Sequence, residues 1–217
     1  MDCFNPQSSD VDFLVVVKDS LSISKKKEAI EASITLSSLI PNNLEFSVVT
    51  VGNLRDYHYP TPFELHYSND WKKRYLSGRF NFEKQNFDTD LIAHIVYIKK
   101  RGVCLTGQPI PDVFPDFPER YFRELLNEEI KYSLKVYRQY PVYATLNMSR
   151  LLAYGRDKLI LSKKEGGEWA LKNLDKAYCP LIHQALDEYV ANKQSRWNLD
   201  AVKKFIEYSR DQWQRRG

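Results

Sequence analysis

Two runs of β-forming residues, Phe13 to Val17 (FLVVV) and Leu44 to Val51 (LEFSVVTV), flank a segment from Ser24 to Leu39 whose apolar residues recur at a helical period. That order constrains the fold more than any other feature. Strands joined through a crossover helix enter the same sheet side by side, so a parallel or mixed sheet is expected. The first run is continuously apolar, the pattern of a strand buried on both faces, whereas the second alternates. Between them Ser24 stands where a helix cap is needed, Ile30 and Ile34 keep the period, and Pro41-Asn42-Asn43 ends it.

The rest of the chain changes character once. Glu64 to Tyr75 (ELHYSNDWKKRY) reads as a helix carrying a surface, and Asp90 to Lys100 as a buried helix. Gly107 to Pro118 then holds Pro109, Pro111, Pro115 and Pro118, the clearest break in the chain. Beyond it the segments 119–137, 142–154, 164–174, 180–192 and 198–213 are all helical in period and joined by short loops, as in a bundle. The expected class is α+β. A mixed sheet with helices occupies residues 1–115, and an all-helical domain occupies residues 116–217.

Composition narrows the partners. No stretch approaches the roughly 18 consecutive apolar residues of a membrane span, and Met1 to Ser9 lacks the regions of a signal peptide, so a cytoplasmic protein with no membrane partner is expected. Cys3, Cys104 and Cys179 are widely spaced without a C-x-x-C, which argues against a disulfide framework and a structural zinc site, and they read as ordinary reduced thiols. Net charge is +4, with basic clusters such as Lys25-Lys26-Lys27 balanced by acids close by. This does not single out nucleic acid, but it suits a polyanionic ligand such as a nucleotide.

Just before the first strand stands Asp10-Val11-Asp12. Side chains two apart on a strand share a face, so both carboxylates point the same way and repel unless a cation lies between them. Mg²⁺ suits such a pair, being held by hard oxygens while keeping positions open for phosphates. Alone, the pair is a weak signal, since D-x-D occurs by chance and reads first as a solvated turn ahead of a strand. Glu45, at the start of LEFSVV, weights the choice, because the neighbouring strand can bring a third carboxylate beside the first two. A trio of that kind serves phosphoryl chemistry, with a metal on the phosphates and one acid taking the proton from an attacking hydroxyl.

Taken in order, SSDVDFLVVV, LEFSVV, the tryptophan of SNDWKKRY, FDTDL, LTG and NMSRLLAYGRDKLILSKKEGGEWAL resemble the aminoglycoside nucleotidyltransferases of the streptomycin and spectinomycin adenylyltransferase type. The resemblance runs from about Pro6 to Tyr189. It implies an N-terminal nucleotidyltransferase domain and a C-terminal helical substrate-binding domain, with ATP as co-substrate, Mg²⁺ and a small-molecule hydroxyl acceptor held in the cleft between. By that resemblance Asp10 and Asp12 are metal ligands, Glu45 is the catalytic base, and Ser9, Asp90, Arg150 and Lys163 contact the nucleotide. Trp71 packs against the acceptor. Without the resemblance, Arg150 reads as an interdomain salt bridge, Lys163 as a solvated helix start and Trp71 as a half-buried anchor. Trp169 and His94 read as core residues.

The sequence departs from that family twice. The family places a helix, then a strand ending in Gly-Ser that cradles the triphosphate, ahead of D-x-D, whereas only Met1 to Ser8 stands there in this sequence. From this the expectation is an exposed sheet edge, self-association through it, and impaired turnover. In addition, Ile130 to Arg150 contains no acid; Lys131, Lys135, Tyr137, Arg138 and Tyr140 stand where acids would meet a cationic antibiotic, with Glu119, Glu124, Glu128 and Glu129 nearby. The expected activity is AMP transfer from ATP to a hydroxyl of an aminoglycoside-like molecule. Its rival is a non-catalytic nucleotide-binding or interaction protein on the same fold.

Overall fold

The computed structural model describes residues 10–39, 43–191 and 195–215. They fall into two compact units, one ending at Phe122 and one beginning at Arg123. The first unit is built in the order β1 (Val11–Val17), α1 (Ile23–Ser37), β2 (Leu44–Thr50), α2 (Val51–Arg55), β3 (Thr61–Phe63), β4 (Leu65–Tyr67), α3 (Asn69–Leu76), β5 (Asn86–Asp88), α4 (Leu91–Arg101) and α5 (Ile110–Val113). The next helix, α6 (Glu119–Val136), contains the division. The second unit continues with α7 (Pro141–Asp157), α8 (Lys163–Asn173), a 3₁₀ turn at Lys176–Tyr178, α9 (Cys179–Ala191) and α10 (Leu199–Gln214). The class is α+β, as expected.

Strands β1 and β2 run parallel, and β4 joins β2 antiparallel, giving a mixed sheet in the order β1-β2-β4; β3 and β5 form a separate antiparallel pair. Alternation then sorts the side chains. Phe13, Val15, Leu44, Phe46, Val48, Leu65 and Tyr67 pack with Ile30 of α1, with the Phe13 and Phe46 rings stacked 4.8 Å apart. Leu14, Val16 and Val49 belong to the other core, with Leu54, Phe63, and Leu91 and Ile95 of α4. Among the described strands β1 is an edge of its sheet, and its residues are half-buried or exposed, not buried on both faces as the continuous apolar run suggests. A continuous apolar run marks a strand buried on both faces only where packed elements cover both faces fully.

Two other local expectations shift. Helix α1 is capped by Ser22, whose Oγ accepts from the Lys25 amide at 3.3 Å, while Ser24 instead donates to Glu28. The expected helix 64–75 begins only after Ser68: Leu65, His66 and Tyr67 alternate into β4 and pair with β2, and the Ser68 hydroxyl caps α3. Cross-strand burial of Leu65 and Tyr67 outweighs the helical spacing read through them.

In the second unit α7 is buried along most of its length. Met148, Leu151, Trp169, Ile182, Phe205, Ile206 and Trp213 form its core, so Trp169 is a core residue as read, with its indole N–H donating to Asp157 at 2.8 Å. No helix among the described residues is long and apolar enough to cross a membrane.

Candidate active site

Register brings the carboxylates together. In the parallel β1/β2 pair Asp12 lies directly opposite Glu45, so their side chains leave the sheet on one face, and Asp10, two residues earlier, shares it. Asp10 is held by the Asn43 side chain, whose Nδ2 donates to it at 2.7 Å, while the Asn43 carbonyl takes the Val11 amide at 2.8 Å. The loop entering β2 thereby fixes the start of β1.

Burial pushes the Glu45 carboxyl above the ordinary range; charge on His94 pulls it back, and the charges of Asp12, Asp10 and Asp88 push it further up. A partly desolvated acid among like charges is held back from ionising, and it becomes a base better matched to neutral pH than a solvated glutamate. Asp88 is the last residue of β5, where it lies opposite Thr61, and its carboxylate takes the Asp90 amide at 2.7 Å. Asp90 begins α4 without making a cap hydrogen bond of its own. Its carboxyl is raised by desolvation and then by Asp88, with His94 acting in the opposite sense.

The same face continues across the sheet. Ser47 of β2 lies opposite His66 of β4, and Ser47 Oγ and His66 Nδ1 are 2.9 Å apart. Burial lowers His66 to about 4, so the ring is neutral in ordinary buffers. Trp71, at the third position of α3, packs its ring edge-on against His66 at 5.1 Å and Phe63 at 5.6 Å, and the Arg74 guanidinium lies 4.8 Å from its centre. It is a half-buried anchor at one end of the polar face.

Sequence reading missed Asp88 and His94. The signal was available in FDTDLIAH, where Asp90 and His94 are four apart on one helix face and Asp88 precedes them by the strand spacing. His94 is half-buried and acts on Glu45, Asp90 and His66, so it is more than a core histidine. Among the described residues no group of three or more His, Cys, Asp or Glu is arranged to hold a metal ion. Ser9 lies outside the described residues.

The second unit carries its own polar cluster. Arg150 on α7 is lowered to about 10 by burial, and its Nη1 donates to Asn147 Oδ1 at 3.0 Å. Asn147 Nδ2 donates to Glu129 Oε2 at 2.9 Å, and the Tyr143 hydroxyl donates to the same oxygen at 3.0 Å. Lys163 begins α8, set there by a capping box in which Ser162 and Glu165 satisfy each other's amides. Its Nζ lies 5.3 Å from the Tyr143 ring centre. A lysine at a helix start opposes the helix dipole, an arrangement that an anion bound there would relieve. Gly166 keeps α8 close, since a Cβ there would meet Arg150 Cγ at 2.6 Å.

The acid nearest to the stretch 130–150, Glu129 of α6, is half-buried and accepts hydrogen bonds from Tyr143 and Asn147 within it. The residues of that stretch do not form one wall: Lys131, Lys135, Arg138 and Tyr140 are exposed, whereas Tyr137 is buried in the core. A small cavity lined by Gly155, Trp169, Tyr208 and Trp213 involves none of the expected site residues.

Acidic strands on a mixed sheet, followed in the chain by a helical unit bearing the half-buried Arg150 and Lys163, define an α+β protein. Known proteins sharpen this. Residues 112–212 match the family model described as aminoglycoside adenylyltransferase, C-terminal domain. Aminoglycoside (3'') (9) adenylyltransferases from Escherichia coli and Klebsiella pneumoniae are each 25% identical, the match covering 92% of this chain and 79% of theirs. The one from Rhizobium radiobacter is also 25% identical, over 92% of this chain and 77% of its own. The crystal structure of a spectinomycin adenyltransferase from Enterococcus faecialis with ATP and spectinomycin superposes with a TM-score of 0.76 at 17% identity, covering 95% of this chain and 86% of that one. The resemblance read from the sequence is borne out: the chain is similar along most of its length to the aminoglycoside adenylyltransferases, and residues 112–212 match the model of their C-terminal domain.

Proposed function

We propose that this protein transfers AMP from ATP to a hydroxyl of an aminoglycoside-like small molecule. The observation that carries the reading is the placement of Glu45 directly opposite Asp12, with its carboxyl raised by burial and by its acidic neighbours. Glu45 accepts the proton of the acceptor hydroxyl. The hydroxyl oxygen bonds to the α-phosphorus, the bond from that phosphorus to the bridging oxygen breaks, and pyrophosphate leaves in line. Asp10 and Asp12 are the residues that would hold Mg²⁺; two hard carboxylates that repel one another fit this ion, which usually draws further ligands from phosphates. When bound, it supplies charge neutralisation on the phosphates. Asp90 is assigned to the nucleotide, as is Ser9, and Arg150 and Lys163 neutralise the triphosphate, the arginine through its fork and the lysine as a point charge. Trp71 offers an aromatic face to the acceptor. The relatives named as adenylyltransferases and the neighbour solved with ATP and spectinomycin support the substrate pair. Pairing between copies along the outer edge of β1 belongs to the same proposal, and sedimentation at rising concentration tests it.

The test is release of pyrophosphate from ATP and Mg²⁺ on addition of spectinomycin, streptomycin and neutral hydroxyl compounds in turn. Acceptor-dependent release that falls roughly 10²- to 10⁴-fold in Glu45→Gln is expected. ATP binding without release for any acceptor would overturn the enzyme reading in favour of a nucleotide-binding protein.

A further inference from the structure

We propose that Glu129 is a positioning residue that holds Arg150 and Lys163 in the attitude from which they meet a triphosphate, an inference that rests on the role given to those two cations above. Glu129 is half-buried on α6 and reaches two residues of α7 one turn apart, Tyr143 and Asn147. Each of these touches one cation. Asn147 gives its Nδ2 to Glu129 at 2.9 Å and its Oδ1 to Arg150 Nη1 at 3.0 Å. Tyr143 gives its O–H to the carboxylate, at 3.0 Å to Oε2 and 3.3 Å to Oε1, and its ring to Lys163 Nζ at 5.3 Å.

The chemistry of the groups sets the direction of the effect. An ionised carboxylate only accepts, so Asn147 must turn its amide nitrogen toward Glu129; that leaves its oxygen for a guanidinium, which only donates. With the acceptor at Glu129 removed, nothing on that side selects between the two amide orientations, and the inverted one sets N–H against N–H at Arg150. The tyrosine arm works alike. A phenol donating to a carboxylate carries more negative charge into its ring, which strengthens the ring's hold on an ammonium. One oxygen, Oε2, accepts from both arms, so an acceptor at that point is what the arrangement requires, more than a full negative charge.

That last point makes the proposal separable from a charge role. Binding of ATP and of adenosine to the full chain is measured by calorimetry and saturation-transfer NMR for Glu129→Leu and Glu129→Gln. Leucine should weaken ATP about tenfold and glutamine, which keeps an oxygen for both donors, by no more than about twofold, with adenosine unaffected by either. In an Arg150→Met, Lys163→Met background Glu129→Leu should have no further effect on ATP. Equal loss in both Glu129 variants, equal loss for adenosine, or an undiminished effect in the double background would overturn the proposal. If Arg150→Met with Lys163→Met weakens ATP but Glu129→Leu does not, only this inference fails; if the cation pair itself is silent, the assignment of the cations fails first. Should Glu129→Leu not fold, Tyr143→Phe removes a single hydroxyl: it should weaken ATP in the native background and not in Lys163→Met, and the reverse would overturn the proposal.

Discussion

Replacing Glu45 with glutamine should slow transfer roughly 10²- to 10⁴-fold and yet make the metal-free protein more stable. Glu45 and Asp12 are directly cross-strand, and like charges in that position destabilise a sheet by about 0.2–1 kcal/mol. Desolvation adds to this, because burial is the largest cause of the raised carboxyl. The sign follows from proton counting. Between the ordinary carboxylate value of 4.5 and the raised value, the folded protein binds more protons at Glu45 than the unfolded chain does, so stability falls as pH rises through that window. Above the raised value the whole cost is present; below 4.5 it is gone. A gain of about 0.2–1 kcal/mol raises the midpoint of a chain this size by about 0.5–4 °C. Thermal melts of both proteins in chelator at pH 7 and pH 4 check it. Other titrating groups, His66 among them, are shared by the two proteins and cancel in the difference. A Glu45→Gln protein that melts no higher than the parent at pH 7, or whose advantage persists at pH 4, would refute the electrostatic account of this face.

Other consequences are more local. Lys26 and Glu64 form an ion pair at 3.0 Å with side chains only 13% and 6% exposed, and Glu64 also takes the Leu21 amide, so Glu64→Ala strands a buried ammonium and should cost about 3–5 kcal/mol by urea denaturation. His66 is lowered by burial to about 4 against an ordinary 6.5, so the unfolded chain takes up its proton first and stability should drop as pH falls through that interval, by up to about 3 kcal/mol. His66→Gln should flatten that slope in melts taken between pH 7 and pH 4. Gly166→Ala drives a methyl to 2.6 Å from Arg150 Cγ and 3.2 Å from its backbone nitrogen, and should lower ATP affinity and destabilise by about 1–3 kcal/mol, read by titration and melting.

Where one physical rule dominated, the residues could be read directly. The parallel β1/β2 pair follows from its crossover helix, and strand alternation then puts Asp10, Asp12 and Glu45 on one face, both visible in the spacing alone. The five helices of the second half follow from a period that no proline interrupts. Segment 64–75 was misread because its apolar residues satisfy both periods over so short a length, and only the pairing of Leu65 and Tyr67 with β2 decides. Asp88 and His94 escaped for another reason. They act on Glu45 from β5 and α4, which are distant from it in sequence, so the spacing in FDTDLIAH groups Asp88, Asp90 and His94 with one another but not with Glu45. Glu129 was noticed only as a nearby acid; its hydrogen bonds to Tyr143 and Asn147 depend on how α6 and α7 pack.

The polar face also bears on the choice between an enzyme and a protein that only binds. A nucleotide can be held by basic groups alone, and Arg150 and Lys163 supply two. Such binding gains nothing from three carboxylates on adjacent strands with a fourth at Asp88, because acids repel a triphosphate and each other. The cluster is unfavourable for folding and for unaided anion binding alike. It becomes favourable once a cation is shared with the phosphates and a base is needed beside them. The proposed role of Glu45 in turnover would account for this cluster where binding alone does not. If Glu45→Gln binds ATP in chelator more tightly than the parent but releases pyrophosphate far more slowly with Mg²⁺ and acceptor, that carboxylate serves turnover; unchanged affinity in chelator would remove the argument.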